Sequence, residues 1–288
     1  MKNLLSLFQT KIMTQDLNFL KEVLSIPSKT YHEERMVEYL CEWLSNNKIS
    51  YYVDTYLNVY ATKGDVSDGE FFPCVIAHTD TVHNIDSINI REELLFNSQG
   101  ERKLSLKAYN NQGFPTGIGG DDKCGVFACL NILKELETVK AAFFVSEETG
   151  CHGSRNSDPA FFKNVGYIIQ FDAPENWMIS ENCSGQVLFD RDSKFFEKCD
   201  LVLTESMDSK KMKYMKHPYT DVYALTKRYG IQSINFSIGY YDYHTANEYV
   251  VVEDVFNGIK VGKKMIELLG LNLYKKKEEN LVSSDFIF

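Results

Sequence analysis

The sequence predicts an α/β protein, a single domain in which a largely parallel sheet lies between helical layers. Three observations carry that expectation. Short apolar runs alternate with amphipathic helical segments along the chain. The apolar runs are continuous rather than alternating, as in strands buried on both faces. Several of them stop at polar, metal-capable side chains, where open α/β sheets place their sites. A chain of 288 residues, 44% apolar and 25% charged, can bury a sizeable core.

Residues 14–24 read as an amphipathic helix stopped before Pro27. Ser28 to Asn46 reads as a second, with Met36, Tyr39, Leu40, Trp43 and Leu44 at helical spacing and His32 exposed in its first turn. Strands follow at Ser50–Asp54 and Leu57–Thr62, then a turn at Lys63-Gly64-Asp65. Phe71–Ala77 is a buried-strand run ending in His78-Thr79-Asp80. Residues 84–117 are polar and irregular, with weak strand signals near 88–90 and 104–108. Gly119-Gly120 permits a tight turn, Asp121-Asp122 follows, and a helix runs from Val126 to Leu136. Acidic residues there would serve as helix caps in any protein.

Ala141–Val145 is a strand ending in Ser146-Glu147-Glu148-Thr149-Gly150, and Val165–Gln170 one ending in Phe171-Asp172-Ala173-Pro174. Residues 175–218 hold a strand at Gln186–Asp190, a helix at Ser193–Thr204 and a lysine-rich turn from Lys210 to Lys216. Thr220-Asp221 starts a helix to Tyr229, Ile231–Ile238 is a strand, and Tyr240-Tyr241-Asp242-Tyr243-His244 forms an aromatic loop. Val255–Leu269 is the last helix, and Lys275 to Glu279 reads as a solvated run.

Parallel strands bring their C-terminal ends to one edge of the sheet. His78 with Asp80, Glu147 with Glu148, Asp172, His244 and Asp121 would therefore converge. His78 and Asp80 are two apart and face one side of an extended chain, so Asp80 can accept the imidazole N–H that a metal leaves unused. Adjacent glutamates point in different directions, so one can bind metal while its neighbour stays free as a base. Mixed His and carboxylate ligands with an open position are a hydrolytic arrangement, and a shared carboxylate makes a two-metal clamp.

The segments AHTDTV, GIGGDDKCG, SEETG, FDAP and YHTANEYV, in this order, resemble the co-catalytic dizinc exopeptidase superfamily, in wording closest to peptidase T and aminoacylase-like hydrolases. The resemblance spans residues 14 to about 270 and implies a three-layer α/β/α zinc-exopeptidase (phosphorylase/hydrolase-like) fold with a mixed, largely parallel central sheet. It implies two divalent ions, zinc first, with cobalt or manganese also compatible with such ligands. His78, Asp121 and Asp172 would hold one; Asp121, Glu148 and His244 the other, with Asp121 bridging and a cis peptide following it. Glu147 matches the general base and Asp80 the residue that orients His78. The family's lid and dimerisation domain falls between the equivalents of Asp172 and His244. Here that interval is too short for an ordinary domain, so residues 1–288 form one catalytic domain with at most a short excursion at 173–218 in the lid's place. Without a lid, the candidates for substrate and oxyanion contacts are Tyr240, Tyr241, Tyr243, His217 and Arg191. His83 and His152 read as supporting or exposed residues rather than ligands.

A formal net charge of −9 argues against nucleic acid and anionic membrane as partners. Seven cysteines without a CxxC pair suit reduced thiols in the cytoplasm. The N-terminal apolar run is too short for a signal peptide, Met13 is an alternative start, and no run approaches a membrane span. The expected activity is an aminopeptidase or di/tripeptidase acting on small peptides. An N-acyl amino acid amidohydrolase and a catalytically silent binding module are the alternatives, and the oligomeric state is left open.

Overall fold

The computed structural model describes residues 4–84, 87–96, 100, 102–206 and 212–277, with backbone alone for 4–13. In chain order the elements are α1 (Leu4–Ser25), α2 (Glu34–Asn46), β1 (Ser50–Val53), β2 (Val59–Lys63), β3 (Phe72–His78), β4 (Asn89–Phe96), β5 (Arg102–Tyr109), β6 (Pro115–Thr116) and α3 (Gly120–Glu135). Then come β7 (Val139–Phe144), α4 (His152–Arg155), α5 (Pro159–Phe162), β8 (Val165–Ala173), β9 (Met178–Cys183), β10 (Gln186–Val187), α6 (Lys194–Ser206) and β11 (Lys213–His217). The chain continues with α7 (Asp221–Tyr229), β12 (Ser233–Ser237), β13 (Tyr240–Tyr241), β14 (Tyr249–Val251) and α8 (Val252–Leu269).

The main sheet runs β1-β2-β7-β3-β8-β12-β9-β10, with β11 beside β9. Its centre, β7-β3-β8-β12, is parallel, and β1, β2, β9 and β10 join antiparallel. Strands β3, β7 and β8 are buried along their whole length, which is why they read as unbroken apolar runs. Adjacent residues of β8 point to opposite faces. Gln170 meets α7 on one face, where its Oε1 accepts the Val222 N–H, while Phe171 packs under Gly262 of α8 on the other. Helices α1, α3 and α6 share the α8 side, so the protein is a three-layer α/β/α fold.

Several expectations are corrected. Residues 84–117 are not irregular: β4 and β5 pair antiparallel along eight residues and, with β6, β13 and β14, make a second sheet. Strand β4 is half exposed and acidic, so its apolar alternation is faint. The second helix starts at Glu34, six residues after Ser28, because Ser28–Thr30 instead bonds the strand-end loop: Thr81 N–H donates to Ser28 O at 2.8 Å and Thr30 N–H to Thr81 O at 3.1 Å. The strand expected at Gln186–Asp190 shrinks to Gln186–Val187, while β9 and β11, unseen in the sequence, extend the main sheet. Part of the lysine-rich turn at 210–216 and Glu278 and Glu279 of the charged tail lie outside the described residues. Within that tail Lys276 is not free in solvent: it is half-buried, with Nζ 3.1 Å from Asp190 Oδ1.

Candidate active site

His78 is the last residue of β3, at the C-terminal edge of the parallel strands, and is 1% exposed. Its Nδ1 lies 3.0 Å from the Asp80 main-chain carbonyl, closer than the 3.4 Å to Asp80 Oδ1. Nε2 is thereby turned toward Asp121 Oδ1 at 3.1 Å and Asp172 Oδ1 at 3.7 Å. The Asp80 carboxylate has further tasks. It accepts the N–H groups of Glu147 at 2.9 Å and Glu148 at 3.2 Å and the Thr30 hydroxyl at 2.9 Å. One buried aspartate thus sets both the histidine loop and the paired glutamates.

Asp121 sits where Gly119, at φ 69, turns the chain into α3. Its own backbone is not helical, and the Asp121-Asp122 peptide is cis. Glu248 clamps the turn by accepting the N–H of Gly119 on Oε2 at 2.8 Å and of Asp121 on Oε1 at 3.1 Å, while His83 Nε2 lies 2.6 Å from the same Oε2. Asp122 accepts the Gly125 N–H at 3.0 Å, a helix-start bond, and the His78 N–H at 3.2 Å, which ties α3 to β3. Lys123 is buried and donates to Leu24 O at 3.2 Å, fixing α1 behind the turn.

Asp172 ends β8. Asn235 on β12 grips its backbone from both sides, accepting the Asp172 N–H and donating to its carbonyl, each at 2.7 Å. The carboxylate accepts Thr220 Oγ1 at 2.6 Å and Gln170 Nε2 at 3.2 Å on Oδ2, and the Tyr240 hydroxyl at 3.2 Å on Oδ1. Thr220, at the N-cap of α7, makes no side-chain cap bond, so its hydroxyl serves Asp172 instead. Thr30, Gln170 and Asn235 went unremarked in the sequence. The latter two carry a signal: an amide inside a buried strand must have a partner.

His244 follows β13 in left-handed conformation, φ 60, and its side chain is 43% exposed. Its Nε2 lies 3.2 Å from Asp121 Oδ2 and 3.0 Å from the Glu148 carboxylate. The ligand atoms of His78, Asp121 and Asp172 lie within 4.8 Å of one another, and so do those of Asp121, Glu148 and His244. Asp121 belongs to both groups and offers each a different oxygen. Glu147 belongs to neither; its Oε2 is 3.9 Å from His78 Nε2, and it lines the cleft of about 200 Å³ beside them. His217, Tyr219, Tyr240 and Tyr243 line the same cleft. Tyr241 and Arg191 are elsewhere. Tyr241 donates to Asp254 at 2.7 Å, and Arg191 pairs with Glu181 at 2.6 Å over the Tyr214 ring. His152 is exposed.

The electrostatics match a site built for cations. Five carboxylates, of Asp80, Asp121, Glu147, Glu148 and Asp172, crowd two imidazoles, and without an ion the imbalance falls on protons. Burial disfavours charge on His78, yet Asp121, Asp172 and Asp80 outweigh it and hold the ring well above its usual value. Asp121 and Glu148 raise His244 to about 10. Burial pushes Asp121 up, but His244 and His78 reverse this and keep it below the carboxylate range. Glu147 is driven well above that range by burial, with Asp172 adding to the rise against the opposing pull of His78. Asp221, buried at the start of α7, is raised to about 7, chiefly by burial.

No protein-family model and no curated protein matches the chain. Solved structures do. Aminopeptidase PepT from Bacillus cereus superposes with a TM-score of 0.70 at 13% identity, over 89% of this chain and 98% of that one. A tripeptidase from Staphylococcus aureus gives 0.67 at 12% identity, over 89% and 98%. An aminopeptidase from the archaeon Desulfurococcus kamchatkensis gives 0.62 at 14%, over 90% and 98%. The chain has the fold of these peptidases.

Proposed function

We propose that the protein is a two-metal exopeptidase that removes a residue from the terminus of short peptides, as an aminopeptidase or di/tripeptidase. The observation that carries this reading is Asp121, whose Oδ1 lies 3.1 Å from His78 Nε2 and whose Oδ2 lies 3.2 Å from His244 Nε2. A carboxylate shared in this way is the bridging ligand of a two-metal clamp. His78, Asp121 and Asp172 would hold one divalent ion and Asp121, Glu148 and His244 the other, with zinc the first choice and cobalt or manganese compatible. Bound there, such ions would supply a water acidic near neutral pH and polarise the scissile carbonyl.

The remaining work falls to the chain. Glu147 is the carboxylate beside both groups and in neither, so its Oε2 is the acceptor for the water proton and then the donor to the leaving amine. Its raised affinity for a proton suits that shuttle. Asp80 keeps Glu147 and Glu148 on their separate tasks through their backbone N–H groups. Besides the proposed ligand His244, the non-carboxylate polar residues lining the cleft are His217, Tyr219, Tyr240 and Tyr243, and among them we assign substrate contact to His217, Tyr240 and Tyr243.

No lysine or arginine is found among the described residues lining the cleft. A surface of carboxylates, tyrosines and two histidines, one of them the proposed ligand His244, suits a free peptide ammonium rather than a clamped substrate carboxylate, which favours an aminopeptidase over an N-acyl amino acid hydrolase. No helix among the described residues is long and apolar enough to cross a membrane, and the seven free cysteines suit a reducing compartment, so we place the enzyme in the cytoplasm. We read residues 1–288 as one catalytic domain.

The test pairs metal analysis with a peptide and N-acyl library on the wild type and Glu147→Gln. Retained metal with hydrolysis reduced about 100-fold or more supports the base. Full activity in the variant would sink the assignment, and release of amines from N-acyl substrates alone would overturn the peptidase reading.

A further inference from the structure

The two ends of the main sheet are finished differently. One tapers into β10, only two residues long. The other is β1, Ser50-Tyr51-Tyr52-Val53, which pairs only with β2 among the described residues. Exposed edge strands invite pairing, and proteins blunt them with charges, proline, bulges or shortness. Strand β1 has none of the first three. Tyr51, Tyr52, Val53, Tyr56 and Leu57, along the strand and its turn, are each between 37% and 51% exposed.

The direction of the free backbone groups can be worked out. Asp54 N–H donates to Asn58 O at 3.0 Å, in register with Val53↔Val59 and Tyr52↔Tyr60. Hydrogen-bonded and non-hydrogen-bonded pairs alternate in an antiparallel ladder. Tyr52 therefore bonds inward to Tyr60, whereas the N–H and C=O groups of Tyr51 and Val53 point outward, away from β2. Two outward residues spaced by two are their own complement under a two-fold axis through Tyr52. Tyr51 of one copy would exchange bonds with Val53 of the next and the reverse, on the order of four backbone hydrogen bonds in all.

The side chains agree with that axis. Tyr51 and Val53 share a face, so each aromatic ring would meet a β-branched partner across the join. On the opposite face Tyr52 is held by a 2.6 Å bond to Asp158 and by stacking on Tyr60 at 5.0 Å. That ring is already ordered, which lowers the entropy lost on association.

We propose that β1 is a homodimer interface: two copies of this chain join edge to edge about Tyr52, making one sheet continuous across both. The contact is isologous and closes on itself, so it stops at two copies. Because β1 is far in sequence from every proposed ligand, the inference stands independently of the peptidase reading.

Sedimentation over a range of concentrations is expected to give twice the 33.1 kDa chain mass. Val53→Pro removes an outward N–H that β2 does not use. It should weaken association roughly 10-fold or more while leaving circular dichroism native. A wild type that stays monomeric throughout, or a native-like Val53→Pro that associates as tightly, overturns the proposal. Should Val53→Pro fail to fold, Tyr52→Cys decides. The two copies of residue 52 would face each other as a close pair, so mild oxidation should give a covalent dimer. Its absence overturns the proposal.

Discussion

Replacing Thr220 with valine tests the support of the proposed metal centre without touching a proposed ligand. The hydroxyl donates to Asp172 Oδ2 at 2.6 Å, and both residues are buried. Valine keeps the shape and removes the donor. A hydrogen bond to a charged group contributes about 1.5–3 kcal/mol, and about 1.4 kcal/mol is a factor of ten in affinity. The full loss would therefore weaken the ion held by Asp172 by roughly 10- to 150-fold. Gln170 Nε2 remains on the same oxygen at 3.2 Å, so the lower part of that range, about 10- to 50-fold, is expected. Thr220→Ser restores the hydroxyl and should stay within about 3-fold of wild type. Competition against a chromophoric chelator at fixed pH measures the affinity. Thermal melting of the ion-free variants separates lost stability from lost binding. Unchanged affinity in Thr220→Val, or an equal loss in Thr220→Ser, would refute the role given to this hydroxyl.

Asp121→Asn should lose both ions together by mass spectrometric metal counting, whereas His78→Ala or His244→Ala should mainly weaken one. Gly125→Ala would place a Cβ 2.2 Å from Asp122 Oδ1, so urea unfolding should show a loss of about 1–3 kcal/mol as Asp122 is pushed off the Gly125 and His78 N–H groups. Metal binding should release protons, because the raised pKa of His244, about 10, means the ion-free protein holds its imidazolium across neutral pH. Calorimetry in buffers of different ionisation enthalpy should detect that release, and affinity should climb from pH 6 to 8. The same shift has the opposite sign for ion-free stability. The contribution of His244⁺ is fully present below the unfolded value near 6.5 and is lost as pH rises through about 10.

Where one force dominates, the sequence is easy to read. Strands β3, β7 and β8 are buried on both faces, so hydrophobicity alone marks them, and their polar endings mark the edge where His78, Asp172 and the glutamates gather. Strand β4 hides because its exposed side chains carry no pattern, and its existence depends on β5 as a partner. Thr30 hides for a related reason. Its segment looks helical by composition, but backbone bonds to Thr81 and the hydroxyl bond to Asp80 hold it in a turn instead, and both partners lie some fifty residues away. The partner of the His78 ring is legible in the sequence only at a coarser scale. Residue spacing placed Asp80 on the right side, but only coordinates distinguish its carbonyl, at 3.0 Å, from its carboxylate.

The second sheet also has a consequence for timing. It interleaves two distant stretches, pairing Ser105 on β5 with Val251 on β14. His244 and Glu248 lie just before that late strand. A growing chain can gather His78, Asp121 and Asp172 once α7 with Thr220 and β12 with Asn235 have emerged. The clamp on the Gly119 turn and the last imidazole arrive only when residues near 250 close this long-range pairing, a slow kind of step. The proposed centre would thus be completed last, and a chain halted earlier would lack His244 and the Glu248 clamp.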